Sequence, residues 1–126
     1  MSGIIESMYT GASAMNAHSW GMAVTAHNVA NVNTAGFAPQ RAAYATGPGA
    51  RGVRLDAVLR DADAPGPSDA AMNSDPSMPP EFVNPSGTDL GREMTRMIST
   101  QRSYEANART VRSADDMLGI LLDMKG

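Results

Sequence analysis

The chain has 126 residues, a formal net charge of −3 and no cysteine. That length gives one small domain. The missing thiols exclude a disulfide framework, a thiolate metal site and a cysteine nucleophile, and the mild charge argues against nucleic acid as a partner.

Apolar residues make up 42% of the chain, but Ala and Met supply much of that share. Ile, Val, Leu and Phe together reach only about 15%, below the roughly 20% that usually builds a core. The high net charge of a disordered chain is absent as well. Such a chain is expected to fold weakly alone and to order when packed against others. No apolar run approaches the roughly 18 residues that span a membrane. The start, MSGIIESMYTGASAM, lacks the basic n-region and sustained apolar core of a cleavable signal peptide.

The first expected unit is 1–40, with a helix over residues 3–32. Ile4, Met8, Gly11, Met15, His18, Met22, Thr25 and Val29 recur at spacings of four and three. Glu6 is the only charged residue among the first forty. A surface helix normally carries a charged face, so this one is expected to be buried on several sides. The alternative is a poorly formed Ala/Ser/Gly-rich segment. The small residues Gly11, Ala12, Ala14, Ala17 and Gly21 suit close backbone approach. Asn28, Asn31, Asn33 and Gly36 end the helix, because Asn and Gly tolerate the left-handed conformation.

Residues 41–60 read as a β-ribbon. Val53, Leu55, Ala57 and Leu59 alternate with Arg54, Asp56, Val58 and Arg60, and Arg41 to Thr46 pair with them across GPGARG. Two strands alone are marginal in water, so the ribbon is expected to lie on a helix or a neighbour. Residues 61–87 form a Pro-rich, acidic linker, anchored at most by Glu81, Phe82 and Val83.

Residues 88–126 carry the second long helix. Ser86 and Asp89 have the spacing of a capping box, and Leu90 opens the helix. Leu90, Met94, Met97, Gln101, Tyr104, Ala108, Val111, Leu118 and Leu122 form a heptad-like stripe. Glu105–Arg109, Arg112–Asp116 and Arg102–Glu105 are spaced as helical ion pairs on a wet or partner-facing sector. Met117 to Met124, with Leu121 and Leu122, is apolar around most of the helix and is expected to be the most deeply buried part. The fold class is therefore mainly α, with two long terminal helices packed as a coiled-coil-like pair and a small β-ribbon and Pro-rich loop between them.

Little points to catalysis. His18 and His27 are nine residues apart and face opposite sides of one helix. No HExxH, CxxC, Walker, GxGxxG or GxSxG pattern occurs, and Asp115 and Asp116 are adjacent and diverge. No enzyme activity and no cofactor are expected.

Two segments carry a resemblance. AHNVANVNTAGF (26–37) resembles the N-terminal signature of bacterial flagellar rod and hook proteins. DLGREMTRMISTQRSYEANARTVRSADDML (89–118) is similar to that family's C-terminal signature. They lie at opposite ends, in the family's order. His27 stands where the family usually has Asn, and Ala35 where it often has Pro. The short middle is most similar to small proximal rod subunits.

The resemblance implies a structural subunit of the flagellar basal-body rod. It would leave through the flagellar type III export apparatus without a cleaved signal, and assemble helically in the periplasm around the export channel. Its partners would be copies of itself and other axial proteins, with no nucleic acid and no membrane insertion. Subunit contacts are then expected at Met8, Met15, Met22 and Val29, and at Asn28, Asn31, Asn33 and Gly36. On the second helix they are expected at Leu90, Met94, Met97, Gln101, Tyr104 and Asn107, and at Leu118, Leu121 and Leu122. The alternative reading is a soluble helical binding module or export adaptor.

Overall fold

The computed structural model describes residues 2–60, 77 and 86–126. The expected linker, with Glu81, Phe82 and Val83, lies almost wholly outside the described residues. Two long helices dominate. Helix α1 spans Ser2–Ala30 and helix α2 spans Leu90–Lys125. At 1.5 Å per residue they are roughly 44 and 54 Å long. Between them stands a two-stranded antiparallel ribbon, β1 (Gln40–Thr46) and β2 (Val53–Arg60). This is the expected fold.

The two helices run antiparallel. Gly11 meets Val111 and Asn107, Gly21 lies near Thr100, and Gly3 and Ile4 share a groove with Ala114 and Met117. Rising numbers on α1 meet falling numbers on α2. The contact is built on small side chains. The buried apolar residues are the alanines Ala14, Ala17 and Ala114, joined by the polar Thr25, Asn28 and Glu93. On α1 the deepest column is Ala14, Gly21 and Asn28, seven apart; the methionines Met8, Met15 and Met22 flank it, half-buried. Glycine at position 11 lets the backbones close in. A Cβ there would stand 2.6 Å from Val111 Cγ2 and 3.3 Å from the Asn107 carbonyl.

The seam on α2 differs from the expected stripe. Glu93, Met97, Thr100, Asn107, Val111, Ala114 and Leu118 are its buried and half-buried members, whereas Leu90, Met94, Gln101 and Leu122 are exposed. The small residues of α1 explain the shift. A helix surface of Gly and Ala accepts a partner at short range, and at short range medium-sized Thr, Asn, Val and Ala fit where larger chains would overpack. The expected capping box is also corrected. Asp89 is the N-cap, and its carboxylate accepts from the Arg92 amide at 3.3 Å.

The ribbon lies on α1, as a two-stranded sheet must lie on something. Ser13 Oγ accepts from the Val53 amide at 3.2 Å while donating to the Thr10 carbonyl at 2.8 Å. A side chain at Gly52 would strike Ser13 Oγ, and Gly52 also takes φ +66°. The register slips by one residue between Ala43 and Tyr44. That bulge turns the Tyr44 ring onto α1, 5.4 Å from the His18 ring and against Gly21. Burial raises the Tyr44 phenol above its usual pKa. Val53, Leu55 and Ala57 are half-buried as the alternation required, but Leu59, at the strand's end, is exposed.

Candidate assembly interface

The asparagine-rich stretch after α1 ties three segments together. Asn28 is fully buried. Its Nδ2 donates to the Gln40 carbonyl at 2.7 Å, and its Oδ1 accepts from the Gln40 amide at 2.8 Å. An amide side chain thereby imitates one more strand residue for β1. Both of its polar ends are used within the chain. Asn31 closes the helix end. Its Nδ2 donates to the His27 carbonyl at 2.9 Å and its Oδ1 accepts from Thr34 Oγ1 at 3.0 Å. Gly36 turns the chain with φ +71°, and the Phe37 ring stands edge-on to His27 at 5.5 Å.

The run into α2 fastens to the same place. Ser86 Oγ donates to the Asn31 carbonyl at 2.8 Å, and the Gly87 amide donates to the Phe37 carbonyl at 2.9 Å. The first signature stretch is thus hydrogen-bonded directly to the residues that lead into the second. Asn33 and Gly36 remain exposed, and Val29 is half-buried.

Glu93 is the largest wholly buried side chain on α2. Its Oε1 accepts from Arg96 Nη1 at 3.1 Å, and its Oε2 has no hydrogen-bond partner. The sequence reading missed it, because a charged residue in the first turn reads as solvated; its seven-residue spacing from Thr100, Asn107 and Ala114 was the available signal. The exposed charges farther along are simpler. Glu105 takes Arg102 at 3.6 Å and Gln101 at 3.3 Å, rather than Arg109. Asn107 Nδ2 returns to the Ser103 carbonyl at 2.8 Å.

What one chain leaves uncovered is apolar and extensive. On α1, Ile5, Tyr9 and Trp20 are about half exposed, on a helix whose one described charge, Glu6, is held by Arg51 at 3.1 Å. On α2, Leu90, Met94 and Ile98 are bare near the start. Tyr104 is partly exposed. The end of α2, expected to be the deepest part, is open within one chain: Met117, Ile120, Leu121, Leu122 and Met124 are all exposed, Met124 at 78%. Only Leu118 there is half-buried, on the seam. Among the described residues no group of three or more His, Asp or Glu is placed to hold a metal. No described helix is long and apolar enough to cross a membrane.

Comparison with known proteins fits this arrangement. The family model described as "Flagella basal body rod protein" matches residues 8–37, and "Flagellar basal body rod FlgEFG protein C-terminal" matches 80–124. Those are the bulk of α1 with its asparagine turn, and α2 with its approach. The chain is similar to the flagellar hook protein FlgE of Caulobacter vibrioides, 39% identical over 49 residues. It is also similar to the flagellar hook-basal body complex protein FlhP of Bacillus subtilis, 44% identical over 36 residues. These stretches are 39% and 29% of this chain, but only 8% and 13% of the two relatives. With both of the family's segments present in order, and paired as the two helices of one unit, the chain belongs to the flagellar basal-body rod and hook family of structural proteins.

Proposed function

We propose that this chain is a structural subunit of the flagellar rod, of the small proximal kind, that assembles helically with its own copies and other axial proteins around the export channel. One observation carries this reading. The two family segments are hydrogen-bonded together at Asn31 and Phe37, and only a short ribbon stands between them within the described residues. The exposed, nearly uncharged face of α1 supports it, since such a face can be covered by a neighbour without stranding ions. Passage through the type III export apparatus, and a periplasmic position, belong to the same reading. The contact residues would be those left bare: Leu90, Met94, Leu121 and Leu122, with Asn33 and Gly36 at the turn.

The test is fractionation of flagellar basal bodies from cells producing a tagged copy. Co-purification with the rod after removal of the filament and hook is expected. A tagged chain found only in a discrete one-to-one complex with another exported protein would overturn the reading in favour of an export adaptor.

A further inference from the structure

Where β1 lies beside the helix pair there is a cavity of about 220 Å3, lined by Thr25 of α1, Arg41 of β1, and Arg96, Ser99 and Thr100 of α2. Thr25 is only 6% exposed. Among the described residues, the hydroxyls of Thr25, Ser99 and Thr100 make no hydrogen bond and Arg41 makes no ion pair. No Asp or Glu is among the described lining residues. A buried hydroxyl without a partner is costly, and its proton is free for an acceptor from outside the chain. The wall thus combines hydroxyl donors with positive charge. The charge nearby fixes the kind of acceptor. Arg96 is held by Glu93, Nη1 to Oε1 at 3.1 Å. The two guanidinium charges of Arg41 and Arg96, less the Glu93 carboxylate, leave one net positive charge. A singly charged carboxylate neutralises it, whereas a phosphate group, at about −1.5 to −2, overshoots.

We propose that this cavity is a carboxylate subsite, filled by an Asp or Glu side chain of a neighbouring chain. Arg41 supplies the ion pair, and the hydroxyls of Thr25, Ser99 and Thr100 supply hydrogen bonds to the carboxylate oxygens. Arg41 follows Gln40, whose backbone is fastened to Asn28 of α1 by two hydrogen bonds. Its backbone is therefore held in place beside the helices before any ligand arrives. A free carboxylate meeting one exposed arginine gains little against water. One carried by an adjacent subunit arrives at high effective concentration, and the same contacts then suffice. The source of the carboxylate rests on the reading that chains assemble side by side; the subsite itself does not.

Two measurements test the subsite and its source separately. In the purified chain, sodium acetate is titrated against sodium chloride at equal ionic strength while the amide resonances of Thr25, Arg41 and Thr100 are followed. Acetate is expected to shift them where chloride does not, and Arg41→Gln to reduce the response several-fold. Equal responses to the two salts, or a larger response to phosphate, overturn the carboxylate subsite. For the source, Arg41→Lys keeps the charge and adds an amine that a water-soluble carbodiimide joins to an adjacent carboxylate. Lys125 is the chain's one other lysine, so the products are readily mapped by mass spectrometry. In isolated basal bodies the expected product links position 41 to an Asp or Glu of another chain, and the purified chain does not give it. A link found equally in the purified chain, or an acetate response with no link in basal bodies, overturns the neighbouring chain as the source while leaving the rod assignment standing. Failure of the unmodified chain to enter basal bodies overturns the rod assignment, and the acetate titration still decides the subsite.

Discussion

Asn28 and Gln40 exchange two hydrogen bonds, side-chain amide to backbone, at 2.7 and 2.8 Å. Replacing Asn28 by Ala leaves the Gln40 amide and carbonyl without these partners, at a cost of about 1–3 kcal/mol. The expected outcome is a large drop in helical signal and melting midpoint by circular dichroism, because so thin a core has little stability in reserve. Asn28→Asp should be nearly as damaging, since a carboxylate cannot donate to the Gln40 carbonyl. A variant that melts like the parent would mean the bonded ring is unimportant.

Gly11 tests the close helix contact. Gly11→Ala adds about 1 kcal/mol of helix propensity, but it also puts a methyl group 2.6 Å from Val111 Cγ2. Overpacking costs about 1–3 kcal/mol, so a net loss is expected. Combining it with Val111→Ala removes the clash, and a double-mutant cycle in urea should show favourable coupling between the two changes. Purely additive effects would show that the helices part without strain.

Ala50 holds φ +60° in the hairpin tip, a conformation that costs an L-residue about 1–2 kcal/mol. Glycine avoids most of this but has more freedom to lose on folding. Ala50→Gly is therefore expected to stabilise the ribbon by about 0.5–1 kcal/mol, seen as slower amide exchange at Val53. Faster exchange would contradict the strain.

Tyr44 gives a pH dependence. Its phenol is raised above the ordinary value by burial, so the folded chain holds that proton more tightly than the unfolded chain. The corresponding stability is complete below the unfolded pKa of about 10. It is lost as pH rises through that value toward the higher folded one. The midpoint of the parent should fall faster above pH 10 than that of Tyr44→Phe. Parallel curves would remove the effect from Tyr44.

Leu121 separates folding from assembly. It is 40% exposed and off the seam, whereas Leu118 is half-buried on it. Leu121→Asp should leave the stability of the purified chain within about 0.5 kcal/mol of the parent and yet abolish incorporation into basal bodies. Leu118→Asp should impair both. Normal motility with Leu121→Asp would count against a covered α2 end.

Element types were legible because period and punctuation agree in this chain. The three-four recurrence from Ile4 to Val29, the alternation from Val53 to Leu59 and the glycines at 47, 49 and 52 each specify one local structure. Which side of each helix is inside was only partly legible. Sequence patterning weights large apolar residues, so it chose the methionine column and the Leu90–Met94 stripe. The helices meet on Gly11, Ala14, Ala17 and Gly21, which the sequence marks as suited to close backbone approach, and on Ala114, which it did not single out; their advantage is closeness rather than area. Asn28 was recognisable as special by its setting in the asparagine run. That its partner would be Gln40, twelve residues on, depended on the ribbon folding back over the helix.

The pairing of Arg60 with Gln40 and the bond from Ser86 to Asn31 have a consequence for how the chain tolerates length. Gln40 is fixed to Asn28, three residues before Asn31, so the path leaving β2 and the path entering α2 start and finish at the same corner. The segment between residues 60 and 86 therefore has both of its ends clamped at one corner. Doubling the length of a segment closed in this way costs only about 0.6 kcal/mol. The corner thus works as a socket: inserts of very different size could be exchanged there while the helical pair keeps its form.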